Sequence, residues 1–214
     1  MAQVLTETKK PAEELRHWKM SFEEFLHWDG DGNPDRRVEW VNGEAVEMIY
    51  VTAKHAQIVS FLFTLLGFAC AAKGIGSVYG EPFVMRLTGG NSGRSPDLMV
   101  LHSANVDRVQ ERFLDGPADI VIEVVSPGSI TSDYIVKLAE YRRAGVPEYW
   151  IVDPVGGQTS FLVLGDDREY HEQVLDGEGL FASRGLDGLR IDPGWFHQME
   201  LPNVVGILKG WDLV

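Results

Sequence analysis

The stretch that most constrains this chain is ADIVIEVV, residues 118–125, where Glu123 sits inside the apolar run that follows Asp119. Apolar residues at both parities mark a strand buried on both faces, which calls for a layer of structure on each side. A carboxylate in such a strand costs several kcal/mol to desolvate unless a cation or strong donors meet it. The chain must therefore bring a partner to Glu123.

The flanking sixty residues offer that partner. Asp97 opens a second apolar run, SPDLMVL. After Ser126-Pro127-Gly128 a helix starts at Thr131 or Ser132, with Lys137 in its second turn, and it runs back to VPEYWIVDP, another apolar strand. Two carboxylates at strand positions and one amine on the adjoining helix form a constellation for a divalent cation and a water. The alternative for Lys137 is a pair with Asp133 on an exposed helix, stabilising by about 0.2–0.5 kcal/mol. Tyr134, Leu138 and Tyr141 mark the expected buried stripe, and Lys137 on its border favours the site. Asp119 is about 13 Å from Glu123 along an extended strand, too far to share an ion. Arg142 and Arg143 suit the helix C-terminus, where cations complement the dipole, with phosphate contact as a second reading.

Elsewhere the signals are local. Residues 1–19 read as a polar, mobile leader. Ser21 and Glu24 form a capping box ahead of a short helix. DGDGNPD has acidic calcium-loop spacing at Asp29, Asp31 and Asn33, but Pro34 and Trp40 stand where such a loop needs Gly and Glu, so it reads as a plain loop. VEWV-NG-EAVEM is a hairpin with a type I′ turn at Asn42-Gly43. That pairing sets Glu39 and Glu44 on one face, either as solvated glutamates or with Glu44 as an extra carboxylate reaching the site. Thr52 caps a long helix that ends at Gly74. His55, in its first turn near the packed face, is a packing residue or a site residue. SVYGEPFVMRL and SPDLMVL read as two strands joined by a turn-rich loop, TGGNSGR, with Pro82 marking an edge or bulge and Glu81 an edge glutamate. Beyond residue 154, SFLVL and EYHEQV form a hairpin extension of the same domain.

With 44% apolar and 24% charged residues, the chain has the balance of one globular domain, placed at 20–214 with its core at about 52–154. No apolar run reaches membrane-span length, and no signal peptide is evident, so the expectation is a cytoplasmic protein without a membrane partner. Cys70 alone builds neither a disulfide framework nor a zinc cluster, and reads as a core thiol. Nineteen Lys and Arg against 32 Asp and Glu give −13, the wrong sign for non-specific nucleic-acid binding.

The central motifs also carry a resemblance. Asn42-Gly43-Glu44, Pro96-Asp97, Glu123 to Pro127 (EVVSP), Asp133, Lys137, Tyr141 and GVPEYWIVDP resemble the bacterial restriction-endonuclease-like family of the Uma-two type, within the PD-(D/E)XK nuclease superfamily. The resemblance implies an α/β fold, a restriction-endonuclease-like mixed sheet flanked by helices, with N- and C-terminal β-hairpin additions. It further implies an Mg²⁺- or Mn²⁺-dependent endonuclease acting on DNA rather than RNA, as a homodimer. In that reading Asp97, Glu123 and the carbonyl of Val124 or Val125 hold the ion, and Lys137 orients the attacking water. Val125 stands where the superfamily usually has its lysine, so the resemblance implies that the amine has moved to Lys137 on the helix. The acidic residue of the first core helix is also missing, and His55 or Glu44 would substitute, with Ser126 as a further accessory residue. Two rivals remain open: a non-catalytic dimerising or regulatory module, which the acidic charge favours, and a metal-assisted hydrolase of small phosphate esters.

Overall fold

A computed structural model describes residues 16–32, 37–48, 51–87, 92–154 and 156–214. Most of the expected leader and the second half of the DGDGNPD loop lie outside the described residues. The last residues of that leader are part of the fold: strand β1 (His17–Lys19) pairs with the hairpin that follows. Helix α1 (Phe22–His27) has its capping box, with Ser21 and Glu24 bonded reciprocally. Strands β2 (Val38–Val41) and β3 (Glu44–Glu47) pair Val41 with Glu44 and Glu39 with Val46, in the register the Asn42-Gly43 turn requires. Both turn residues have positive φ, 51° and 85°.

Helix α2 (Ala53–Lys73) begins at the Thr52 cap and ends on Gly74, whose φ of 66° is the left-handed closure that glycine adopts without strain. By length and mean hydropathy (1.6) this helix could cross a bilayer, which scanning for uninterrupted apolar runs overlooked. In the fold it is a core helix: Ile58, Leu62, Leu65, Leu66 and Ala69 are fully buried.

The segment read as one strand with a bulge is two. Strand β4 (Gly76–Gly80) and strand β5 (Val84–Arg86) belong to different sheets, and the chain changes sheet at Glu81-Pro82, where proline cannot continue a ladder. Part of the expected loop is also a strand, β6 (Ser92–Arg94). Then follow β7 (Leu98–His102), a 3₁₀ turn at Ser103–Arg108, β8 (Phe113–Asp115) and β9 (Ile120–Val124). A π-helical turn at Ser132–Lys137 leads into α3 (Leu138–Ala144) and strand β10 (Glu148–Asp153). The hairpin of β11 (Gln158–Leu164) and β12 (Tyr170–Glu172) extends the same sheet, as expected. A two-stranded ribbon, β13 (Phe181–Ala182) with β14 (Arg190–Ile191), a 3₁₀ turn at Pro193–His197 and helix α4 (Val204–Gly210) close the described chain.

The architecture is mixed α/β with two six-stranded mixed sheets, ordered β1-β3-β2-β6-β5-β8 and β12-β11-β10-β9-β7-β4. The N-terminal hairpin is thus part of a full second sheet. In the other, β9 and β10 run parallel while β7 and β9 run antiparallel. Strand alternation sorts its side chains: Leu98, Val100, Ile120, Ile122 and Val124 pack with α2, whereas Met99, Val121, Val125, Tyr149 and Ile151 pack with Tyr141 of α3. Glu123 falls between Ile122 and Val124, on the α3 side.

Candidate active site

Adjacent strands bring the two acids together. The register Leu98–Ile122 carries Asp97, just before β7, to the end of β9, where the Val124 N–H donates to Asp97 Oδ2 at 2.8 Å. The same oxygen lies 3.0 Å from His55 Nε2, delivered by the first turn of α2. Both carboxylates are buried, Asp97 at 8% exposure and Glu123 at 2%.

Lys137 supplies the cation that the buried strand demanded. Its Nζ lies 2.9 Å from Glu123 Oε2, 3.2 Å from Asp133 Oδ1 and 3.8 Å from Glu39 Oε1. The π-helical turn keeps Asp133, Lys137 and Tyr141 on the sheet-facing side, and these three form the buried stripe, where Tyr134 and Leu138 are only partly buried. Lys137 therefore makes the Asp133 pair and also reaches Glu123, and the Asp133 pair is buried rather than exposed. The Tyr141 hydroxyl donates to Glu123 Oε1 at 2.6 Å, and the Tyr149 hydroxyl donates to the Asp133 carbonyl at 2.9 Å.

The second sheet completes the cluster with residues that sequence reasoning did not assign to it. Trp40 pairs with Gly93, so Glu39 and Arg94 are cross-strand neighbours, and Arg94 NH1 donates to Glu39 Oε2 at 2.6 Å. Arg94 Nε donates to Glu140 at 2.7 Å, tying the second sheet to α3. Glu39 is 1% exposed and Arg94 3%. The one sequence signal for Glu39 was its face on the hairpin, which pointed equally to Glu44. Glu44 does not join the site: it sits at the turn, partly exposed, with its Oε2 3.2 Å from His17 Nδ1. The face was correct, but the site lies at the other end of β2. Arg94 was hidden in a segment whose glycines and Ser-Asn pattern read as a loop.

The electrostatics follow from burial. Glu123 is pushed up to about 8, first by desolvation and then by Asp97, Asp133 and Glu39, against the pull of Lys137. Burial also raises Asp133. Desolvation acts to lower Lys137, but Glu123, Glu39, Asp133 and Asp97 outweigh it and hold the amine charged well above neutrality. Glu39 goes the other way from Glu123: burial would raise it, and Lys137 with Arg94 bring it below the ordinary value. Glu39, Asp97, Glu123, Asp133 and Glu140 face two lasting cations, Lys137 and Arg94, which leaves an excess of acidic oxygen.

A cavity of about 150 Å³ is lined by Asp97, Glu123, Val124, Ser126, Asp133 and Lys137, with His55 and Glu39 at its walls. Every residue expected at the site except Glu44 is thus at one cavity. Among the described residues no three His, Cys, Asp or Glu side chains are placed to hold an ion by themselves. The two carboxylates, Asp97 and Glu123, with further acidic oxygen beside them, suit a hard divalent cation, which takes oxygen ligands and retains water.

Residues 22–194 match the family described as putative restriction endonuclease, Uma2. The chain belongs to that family. This Uma2-family protein is also similar in fold to the crystal structure of a putative nuclease belonging to DUF820 from Anabaena variabilis. The TM-score is 0.68 at 16% identity, covering 83% of this chain and 97% of that one. No curated protein matches the chain.

Proposed function

We propose that this Uma2-family protein is an Mg²⁺- or Mn²⁺-dependent phosphodiesterase acting on DNA as an endonuclease. The observation that carries the reading is the Lys137 amine, buried between Glu123 and Asp133 at the cavity that Asp97 also lines. Asp97, Glu123 and the Val124 carbonyl are the groups that would hold the cation. When bound, such a cation screens the phosphodiester and makes a coordinated water more acidic.

The remaining work falls to the chain's own groups. Lys137, held charged by its acidic neighbours, is a donor rather than a base; it orients the attacking water and stabilises charge developing on the phosphoryl oxygens. Tyr141 fixes one oxygen of Glu123, and His55 with the Val124 N–H fixes one oxygen of Asp97. These contacts hold the acids in place before substrate arrives, which limits reorganisation during reaction. A homodimer is part of the proposal, by family analogy, and sedimentation reads it.

The deciding experiment is cleavage of plasmid and oligonucleotide DNA with Mg²⁺ or Mn²⁺ by wild type and Asp97→Ala. Metal-dependent cleavage by wild type alone is expected; equal activity in both proteins removes Asp97 from the mechanism. The net charge of −13 favours a second reading, a non-catalytic module on a nuclease fold. Absence of Mn²⁺ binding by calorimetry, with no retention of DNA at low salt, would establish that alternative.

A further inference from the structure

The acidic cavity does not end at its own walls. His55 and Asp97, with Arg37, Val51 and Glu81, also line a broader cleft of about 630 Å³ beside it. That cleft is apolar where the cavity is charged: Val51, Val59, Phe63, Val78, Tyr79 and Leu98 line it. Phe63 is 45% exposed, although it lies on the core helix α2. Its ring edge and the Asp97 carbonyl both fall within 4 Å of the point that a Gly80 Cβ would occupy, so the aromatic wall begins beside the proposed metal ligand. One polar atom at the junction is unsatisfied: His55 Nδ1 is buried and has no hydrogen-bond partner among the described residues.

We infer that this cleft binds an unstacked nucleobase next to the scissile phosphate, so that the preferred substrate is single-stranded or locally unpaired nucleic acid. The inference rests on the nuclease reading for the identity of its ligand. Among the described residues, Arg37 is the only Lys or Arg lining the cleft, and it is paired with Glu81. A wall with one engaged cation is poorly suited to tracking the two backbones of a duplex, which takes several phosphate contacts. An exposed ring on an apolar wall suits a base, because every base has a π-face and stacking contributes without sequence preference. A base inside a duplex is not available to such a wall; one in a single strand or an extruded position is.

The test is binding of fluorescent single-stranded and duplex oligonucleotides of equal length, with millimolar Ca²⁺ as the cation. Wild type, Phe63→Ala, Phe63→Tyr and a control, Phe68→Ala, are compared; Phe68 is 59% exposed on the same helix and does not line the cleft. Tighter binding of the single strand and a loss of roughly tenfold or more in Phe63→Ala alone are expected. Unchanged affinity in Phe63→Ala, preference for the duplex, or no single-strand binding would overturn the inference. The two readings fail separately: metal-dependent cleavage that ignores Phe63 keeps the nuclease and removes the base site. Phe63-dependent binding without cleavage under any metal does the reverse.

Discussion

Lys137 Nζ lies 2.9 Å from Glu123 Oε2, and both groups are almost wholly buried. Replacing the amine with an apolar group leaves Glu123, Asp133 and Glu39 facing one another without it. Breaking a buried ion pair from one side costs about 3–5 kcal/mol. Lys137→Met is therefore expected to lower the urea midpoint clearly and to cut cleavage by about 10²–10³-fold. Cleavage within a few-fold of wild type by a folded Lys137→Met protein would remove the amine from the chemistry.

Asp97→Asn keeps the shape beside His55 and the Val124 N–H but removes a charge. Mn²⁺ affinity measured by calorimetry is expected to fall tenfold or more, with cleavage falling at least in proportion. Retained Mn²⁺ affinity would place the cation elsewhere.

Tyr141 donates at 2.6 Å to the Glu123 oxygen that Lys137 does not pair with. Tyr141→Phe is nearly isosteric, so it tests that one donor. A hydrogen bond contributes about 0.5–1.5 kcal/mol, and a similar fall in unfolding free energy is expected. If Tyr141 also positions Glu123, Mn²⁺ affinity falls in the same variant; unchanged stability and affinity would make the contact incidental.

Glu39 gives a pH signature. Lys137 and Arg94 outweigh its burial and depress its folded value below the ordinary 4.5. A carboxylate depressed by folding contributes stability above its unfolded value and loses that contribution as pH falls through the folded one. Glu39→Gln should therefore be less stable than wild type at neutral pH, with the gap closing as pH drops below about 4.5. Thermal melts across that range check it, and a gap that widens on acidification would contradict the assignment.

Cys70 is buried in the α2 core, where desolvation raises its thiol to about 11. Thiolate is the reactive form, so alkylation of native protein should be slow and should accelerate on unfolding. Rapid labelling of the folded chain, followed by mass spectrometry, would show that α2 opens.

Local chemistry was legible in the residues themselves. The Asn42-Gly43 turn, the Thr52 and Gly74 limits of α2 and the buried strand around Glu123 all depend on neighbours within a few positions, and they form as read. Asp97, Glu123 and Lys137 could be nominated because a charge in an apolar run requires a partner wherever the chain goes. What tertiary structure alone decided was which second acid reached the amine. Glu39 and Glu44 share a face but lie on different strands of the hairpin, and the choice rests on β2 pairing with β6, across a chain separation that no local pattern records. The same pairing turned Arg94 from an apparent loop residue into the buried link between Glu39 and Glu140. Backbone propensity acts over a few residues, whereas the electrostatics of a buried cluster are set by whichever strands become neighbours.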